Sequence, residues 1–225
     1  MSPVSRSTVA TCPGARSSAD ITSSHSIKRQ YRWRSPDPGK LTDQQDHTDS
    51  PPTIAAVDSF KDLVDGNAEF AEAFSIADLS PIPRRHLAVV TCMDCRVDPL
   101  AMFGFETGDI HVMRNAGARI TPDIIRSLIK SVNQLEVDRI AIVHHTDCGA
   151  AKIDLSGLRA KVLAATGSDP DGVEFHLIGD QASALSADVE AVRTCPYLPV
   201  GTAVAGFLYD VTTGLLTPHT STFVS

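Results

Sequence analysis

Val89-Val90-Thr91-Cys92-Met93-Asp94-Cys95-Arg96 is an apolar, β-rich run that stops abruptly in thiols and charges. Ile142-Val143-His144-His145-Thr146-Asp147-Cys148-Gly149 answers it further along the chain with the same form. The first run, from His86 to Thr91, lacks strict apolar–polar alternation, which suits a strand buried on both faces. A strand over residues 139–144 leads into the second in the same way. Each strand ends in side chains able to bind a soft metal, and carboxyl ends of strands are where open α/β sheets bind their ligands.

Strands and helices alternate around these two runs. A helix is expected from residue 58 to 74. Ser59-Phe60-Lys61-Asp62 has the capping-box form, and Phe60, Leu63, Val64, Phe70 and Phe74 share one face. Asp98-Pro99 starts a short helix through Phe103, and residues 110–113 form a second strand. Arg114-Asn115-Ala116-Gly117 then turns the chain into the clearest helix in the sequence. Its N-cap is Thr121, Pro122 takes the first helical position, and Asp123 suits the positive end of the dipole. Ile124, Ile125, Leu128, Ile129, Val132 and Leu135 fall on its buried face. Beyond the second motif a helix is expected over 155–165, a loop over 167–172, a fourth strand over 173–178 and a helix over 182–193. Residues 206–216 read as a terminal hairpin or edge strand. The fold class is therefore α/β: a central, mainly parallel β-sheet of four strands plus an edge strand, with helices on both faces.

The 225 residues carry a net charge of −7 and are 42% hydrophobic. A chain of that size buries a full core without disulfides or a structural metal, so a metal here serves chemistry. The acidic balance excludes nucleic acid as the main partner, because phosphate neutralisation needs clustered Lys and Arg. No apolar run reaches the roughly 18–20 residues that span a bilayer, and the N-terminus lacks the apolar centre of a secretory signal. The five cysteines, Cys12, Cys92, Cys95, Cys148 and Cys195, are odd in number and unlike a disulfide framework. A reducing compartment, the cytoplasm, is expected. Residues 1–53 read as a disordered extension holding the only tryptophan, Trp33, and residues 54–225 as the catalytic domain. The first 34 residues are Arg/Ser-rich and acid-poor, so organelle targeting is the alternative reading of that segment.

Thiolate and imidazole are the ligands zinc prefers, and Cys₂His with an open fourth position is a catalytic arrangement. His145 and Cys148 have H-x-x-C spacing, which one turn after a strand can present together. His144 points to the opposite face from His145 and is read as a packed or hydrogen-bonded histidine. Cys92-Met93-Asp94-Cys95 admits three readings. One is a redox dithiol. Another is a closed Cys₃His site formed with Cys95, His145 and Cys148, as in a zinc-stabilised binding module. In the third, Cys92 alone binds metal while Asp94 and Arg96 form an ion pair beside it.

C-x-D-x-R, as Cys92-Met93-Asp94-Cys95-Arg96, and H-x-x-C, as His145-Thr146-Asp147-Cys148, resemble the β-class carbonic anhydrases. Arg114-Asn115-Ala116-Gly117 and the helix containing Ser127-Leu128 resemble them too. The similarity runs from about residue 58 to 215, is densest over 86–150, and is greatest to the compact bacterial-type members. It implies that Cys92, His145 and Cys148 ligate one catalytic Zn²⁺ per subunit. Asp94 would alternate between pairing with Arg96 and closing onto the metal. The implied reaction is reversible hydration of carbon dioxide to bicarbonate and a proton by zinc-bound hydroxide. Hydrolysis of carbon disulfide or carbonyl sulfide at the same zinc is the alternative. Cys95, where the family carries a small residue such as Ser or Ala, is expected to be a bystander. The resemblance further implies a homodimer or higher homo-oligomer.

Overall fold

The computed structural model describes residues 59–225. The expectations for residues 1–53, including Trp33, lie outside them. The described residues fall into two compact units, 59–79 and 80–225.

The first unit holds helix α1, Lys61–Glu72. Its N-cap is Phe60, one residue beyond the Ser59 of the capping box, and Asp62 lies in the first turn. Phe60, Leu63, Val64, Phe70 and Phe74 are all exposed.

The second unit is a five-stranded sheet: β1 (Leu87–Cys92), β2 (Ile110–Asn115), β3 (Arg139–His145), β4 (Ala203–Tyr209) and β5 (Leu216–Phe223). Their order is β2-β1-β3-β4-β5. The first four are mutually parallel, and β5 returns antiparallel along β4. Every residue of β1 is buried, as a strand at the sheet centre requires. Three helices join the strands: α2 (Pro122–Gln134), α3 (Leu155–Thr166) and α4 (Gln181–Arg193). Helix α2 begins as expected, with Thr121 Oγ1 accepting from the Ile124 amide and Pro122 at the first position.

One expectation changes. Residues 173–178 are not a strand. His176 has φ 49°, which breaks an extended run, and the Arg119 guanidinium takes the carbonyls of His176 and Leu177. The segment crosses the strand ends instead and delivers Ile178 to the cysteine cluster. Its place as a sheet member goes to β4. On one face of the sheet the cover comes from two of the helices. Ile124 and Leu128 of α2 and Leu185, Val189 and Val192 of α4 pack with Ala88, Val90, Ile140, Ile142 and Val204. Gly206 lets α4 come this close, since a Cβ there would stand 2.9 Å from Val189 Cγ2. On the opposite face, Leu87, Val89, Ile110, Ala141 and Val143 meet Met102, Phe103 and Phe105 from the turn after β1. Between Phe103, Phe105, Phe207 and Phe223 that face keeps an apolar cavity of about 490 Å³.

Candidate metal centre

The chain leaves β1 for β2 on one side and returns to β3 on the other, so a crevice opens between the carboxyl ends of β1 and β3. The register pairs Leu87 with Arg139 and Thr91 with Val143, which makes the two strands finish side by side. Cys92 is the last residue of β1 and His145 the last of β3. Past His145, the Thr146 amide donates to the Tyr209 carbonyl, and Thr146 Oγ1 accepts from the Val211 amide. Asp147 then takes φ 57°, a left-handed turn that Asp tolerates better than most residues, and Cys148 is brought back over the strand end.

Cys92, His145 and Cys148 are all buried, and one ligand atom from each lies within 4.8 Å of the others. The two sulfurs are 3.9 Å apart. His145 Nδ1 is 2.8 Å from the Thr146 carbonyl, which makes Nδ1 the protonated nitrogen and leaves a lone pair on Nε2. That Nε2 is buried with no hydrogen-bond partner. A buried polar nitrogen is costly to leave unpaired. Two thiols and an orphaned imidazole nitrogen converging on one point are a donor set that fits a borderline-soft divalent metal. The cysteines are already biased toward it. The Cys148 S–H holds the Cys92 thiol well below its usual pKa, against the opposing effect of burial. The Cys148 thiol is pushed up in turn, first by Cys92 and then by burial.

Asp94 and Arg96 flank the cluster as a forked pair. Arg96 Nε donates to Asp94 Oδ1 at 3.0 Å and Nη2 to Oδ2 at 2.8 Å, while the Arg96 amide also binds Oδ1 at 3.0 Å. These bonds hold the Asp94 carboxyl well below the usual carboxylate range. Asp94 Oδ2 lies 3.8 Å from His145 Nε2, beside the cluster but engaged with Arg96. Cys95 is exposed and stands outside the three-ligand group, so the closed Cys₃His arrangement is not formed.

Several contributors were not legible as such in the sequence. Arg114 donates from β2 to the carbonyls of Cys92, at 2.9 Å, and Asp94, at 2.7 Å, and so pins the turn between them. Its Arg-Asn-Ala-Gly signature was visible, but its contacts were not. The Gly117 amide donates to Cys92 Sγ at 3.3 Å. Gly117 has φ +83°, and a Cβ there would meet Ala150 at 3.0 Å, so the close approach needs glycine. Asp188, buried on α4, supports this turn by accepting from the Ile120 amide and from Arg119 Nε. It also lies 3.1 Å from Nε2 of His144, whose Nδ1 meets Gln181. His144 is thus the hydrogen-bonded core histidine expected, facing away from the cluster.

An α/β sheet with a thiolate–imidazole cluster at its switch point defines a metal-site enzyme architecture, and comparison with known proteins gives the family. The carbonic anhydrase family pattern matches residues 87–168. Beta-carbonic anhydrase 1 of Mycobacterium tuberculosis is 33% identical over 155 residues, which span 69% of this chain and 94% of that protein. A carbon disulfide hydrolase of Acidithiobacillus thiooxidans is 29% identical over 182 residues, 71% of this chain and 90% of that one. The crystal structure of a carbonic anhydrase from Streptococcus mutans superposes with a TM-score of 0.68 at 31% identity, over 72% of this chain and 97% of that chain. The chain belongs to the β-carbonic anhydrase family.

Proposed function

We propose that this protein is a zinc-dependent carbonic anhydrase whose catalytic unit spans residues 54–225. In this reading Cys92 Sγ, His145 Nε2 and Cys148 Sγ hold the zinc, and Asp94 and Arg96 are the catalytic pair. The observation that carries it is the buried, unpartnered His145 Nε2 facing two buried cysteine sulfurs. The chemistry a zinc held by these three residues would supply is a water whose pKa is lowered to about 7, and so a hydroxide nucleophile at neutral pH. Asp94, kept ionised by Arg96, is an acceptor only, so it takes a hydrogen bond from the nucleophile's O–H and turns a lone pair toward the substrate carbon. Arg114 fixes the carbonyls on either side of Met93, which keeps Cys92 and Asp94 in constant relation. The Gly117 amide offsets the negative charge of the Cys92 sulfur. Ala118, Ala150, Ile178 and Ala184 wall the sulfurs in apolar surface, where charge interactions are stronger than in water.

A homodimer is part of the proposal. The apolar cavity on the open sheet face and the exposed Phe60, Leu63, Val64, Phe70 and Phe74 on α1 are surfaces that self-association would cover. No helix among the described residues is long and apolar enough to cross a membrane. The free thiols of Cys92, Cys95, Cys148 and Cys195 support the cytoplasm as its compartment.

Stopped-flow hydration of carbon dioxide, with zinc measured on the same sample, tests the function. One zinc per chain together with fast hydration is expected. Because one relative is a carbon disulfide hydrolase, release of sulfide from carbon disulfide is the parallel assay. Sulfide release without carbon dioxide hydration would replace the substrate and leave the site intact.

A further inference from the structure

Asp147 is one of the two residues between His145 and Cys148 and has no part in the mechanism above. Its side chain is nonetheless tied to that mechanism. Arg96 spends Nε and Nη2 on Asp94, and its remaining Nη1 donates to Asp147 Oδ2 at 2.8 Å. Nη2 also reaches the Asp147 carbonyl at 3.1 Å, and the other carboxylate oxygen of Asp147 binds Lys152. The guanidinium therefore sits between two carboxylates, one from each turn that carries metal-type ligands. Lys152 acts before Arg96 in holding the Asp147 carboxyl down to about 2.

We propose that Asp147 is a positioning residue that latches Arg96 in the pose which keeps Asp94 off the fourth metal position. The inference rests on the zinc assignment above. Asp94 Oδ2 is 3.8 Å from His145 Nε2, so a modest rotation of its side chain carries it to the open side of the donor cluster. What opposes that rotation is the fork to Arg96, and a fork resists only as far as the arginine itself is held. Asp147 holds it through side chain and main chain together, on a turn anchored to β4 by Thr146. Loss of the Asp147 carboxylate leaves Arg96 free to follow Asp94 or to release it. Asp94 would then compete with any exogenous ligand for the fourth position.

The two physical accounts of Asp147 give opposite signs. If it were only a nearby negative charge, removing it would strengthen anion binding at the metal. If it is a latch, removing it weakens anion binding, because Asp94 enters the site. Azide titrated calorimetrically into the zinc-loaded full chain reads the difference without measuring turnover. Asp147→Asn suits the test because Asn also accepts the left-handed backbone at this position. About fivefold weaker azide binding at unchanged zinc content is expected, the scale of an exposed ion pair. Asp94→Asn should bind azide at least as tightly as the parent, and adding Asp147→Asn to it should cost nothing further. Unchanged or stronger azide binding in Asp147→Asn overturns the latch. So does an equal loss with and without Asp94. A parent protein that holds no zinc overturns the zinc assignment itself, and the latch with it.

Discussion

The parallel strands of this sheet carry an arginine–aspartate constellation at each end, and the two are built for different work. At the amino end, Asp109 is nearly buried and fully engaged. It accepts from Arg84 Nε at 2.7 Å, from Arg85 Nε at 3.2 Å and from the Glu106 amide at 3.0 Å. Arg85 also lies over the Phe105 ring at 3.9 Å. Every strong group there is answered by another, which joins the approach to β1 to the loop before β2 and leaves nothing to react. At the carboxyl end, Asp94 and Arg96 stand beside a buried nitrogen with no partner and two buried cysteine sulfurs 3.9 Å apart. The lesson is that an ion pair signals function only when its neighbourhood holds an unanswered group.

Substitutions at the two ends should therefore fail differently. The largest effect is expected at the carboxyl end with Cys148→Ser. Zinc should fall from one per chain to near none after dialysis, and hydration should drop by more than the roughly 10–100-fold typical of residues that only support a ligand. Cys95→Ser, at an exposed position outside the three-ligand group, should keep both. Zinc loss in Cys95→Ser would revive the closed site. Next is Asp94→Asn, expected to stay folded and zinc-loaded while hydration falls about 100-fold, the lower end for losing a group that manages a proton. Unchanged turnover would remove Asp94 from the mechanism. The smallest effect is expected at the amino end with Asp109→Asn. Zinc content should not change, and the melting temperature should fall by a few degrees at neutral pH.

That last effect carries a pH signature. The Glu106 amide, then Arg84, holds the Asp109 carboxyl at about 2 in the fold, against roughly 4 in an unfolded chain. A depressed carboxylate stabilises the fold above the unfolded value and loses that contribution as pH falls through the folded one. The gap between parent and Asp109→Asn should thus be full above about pH 4 and close as the pH nears 2. A gap that persists at pH 2 would mean that Asp109 acts by shape rather than charge.

Much of this was legible in the chain because it is local. The all-buried character of β1, the start of α2 at Thr121-Pro122 and the donor types at both strand ends follow from side chains and their spacing. Residues 173–178 misled because Val-Glu-Phe-His-Leu-Ile has strand composition, while the decision belonged to Arg119, far away in sequence, which takes two of its carbonyls. Asp147 was invisible as a working residue for the same reason. Nothing within its own motif says that Arg96 lies 2.8 Å away.

By itself the sequence determined which groups could do chemistry, since thiol, imidazole and carboxylate are properties of residue types, and that they stand at strand ends. Only the tertiary structure decided which of them meet. The β1–β3 register brings Cys92 to His145 and Cys148, leaves Cys95 in solvent and turns His144 toward Asp188. Convergence on a metal site depends on pairing between strands distant in the chain, and on which face each side chain takes, and neither is encoded in any single stretch.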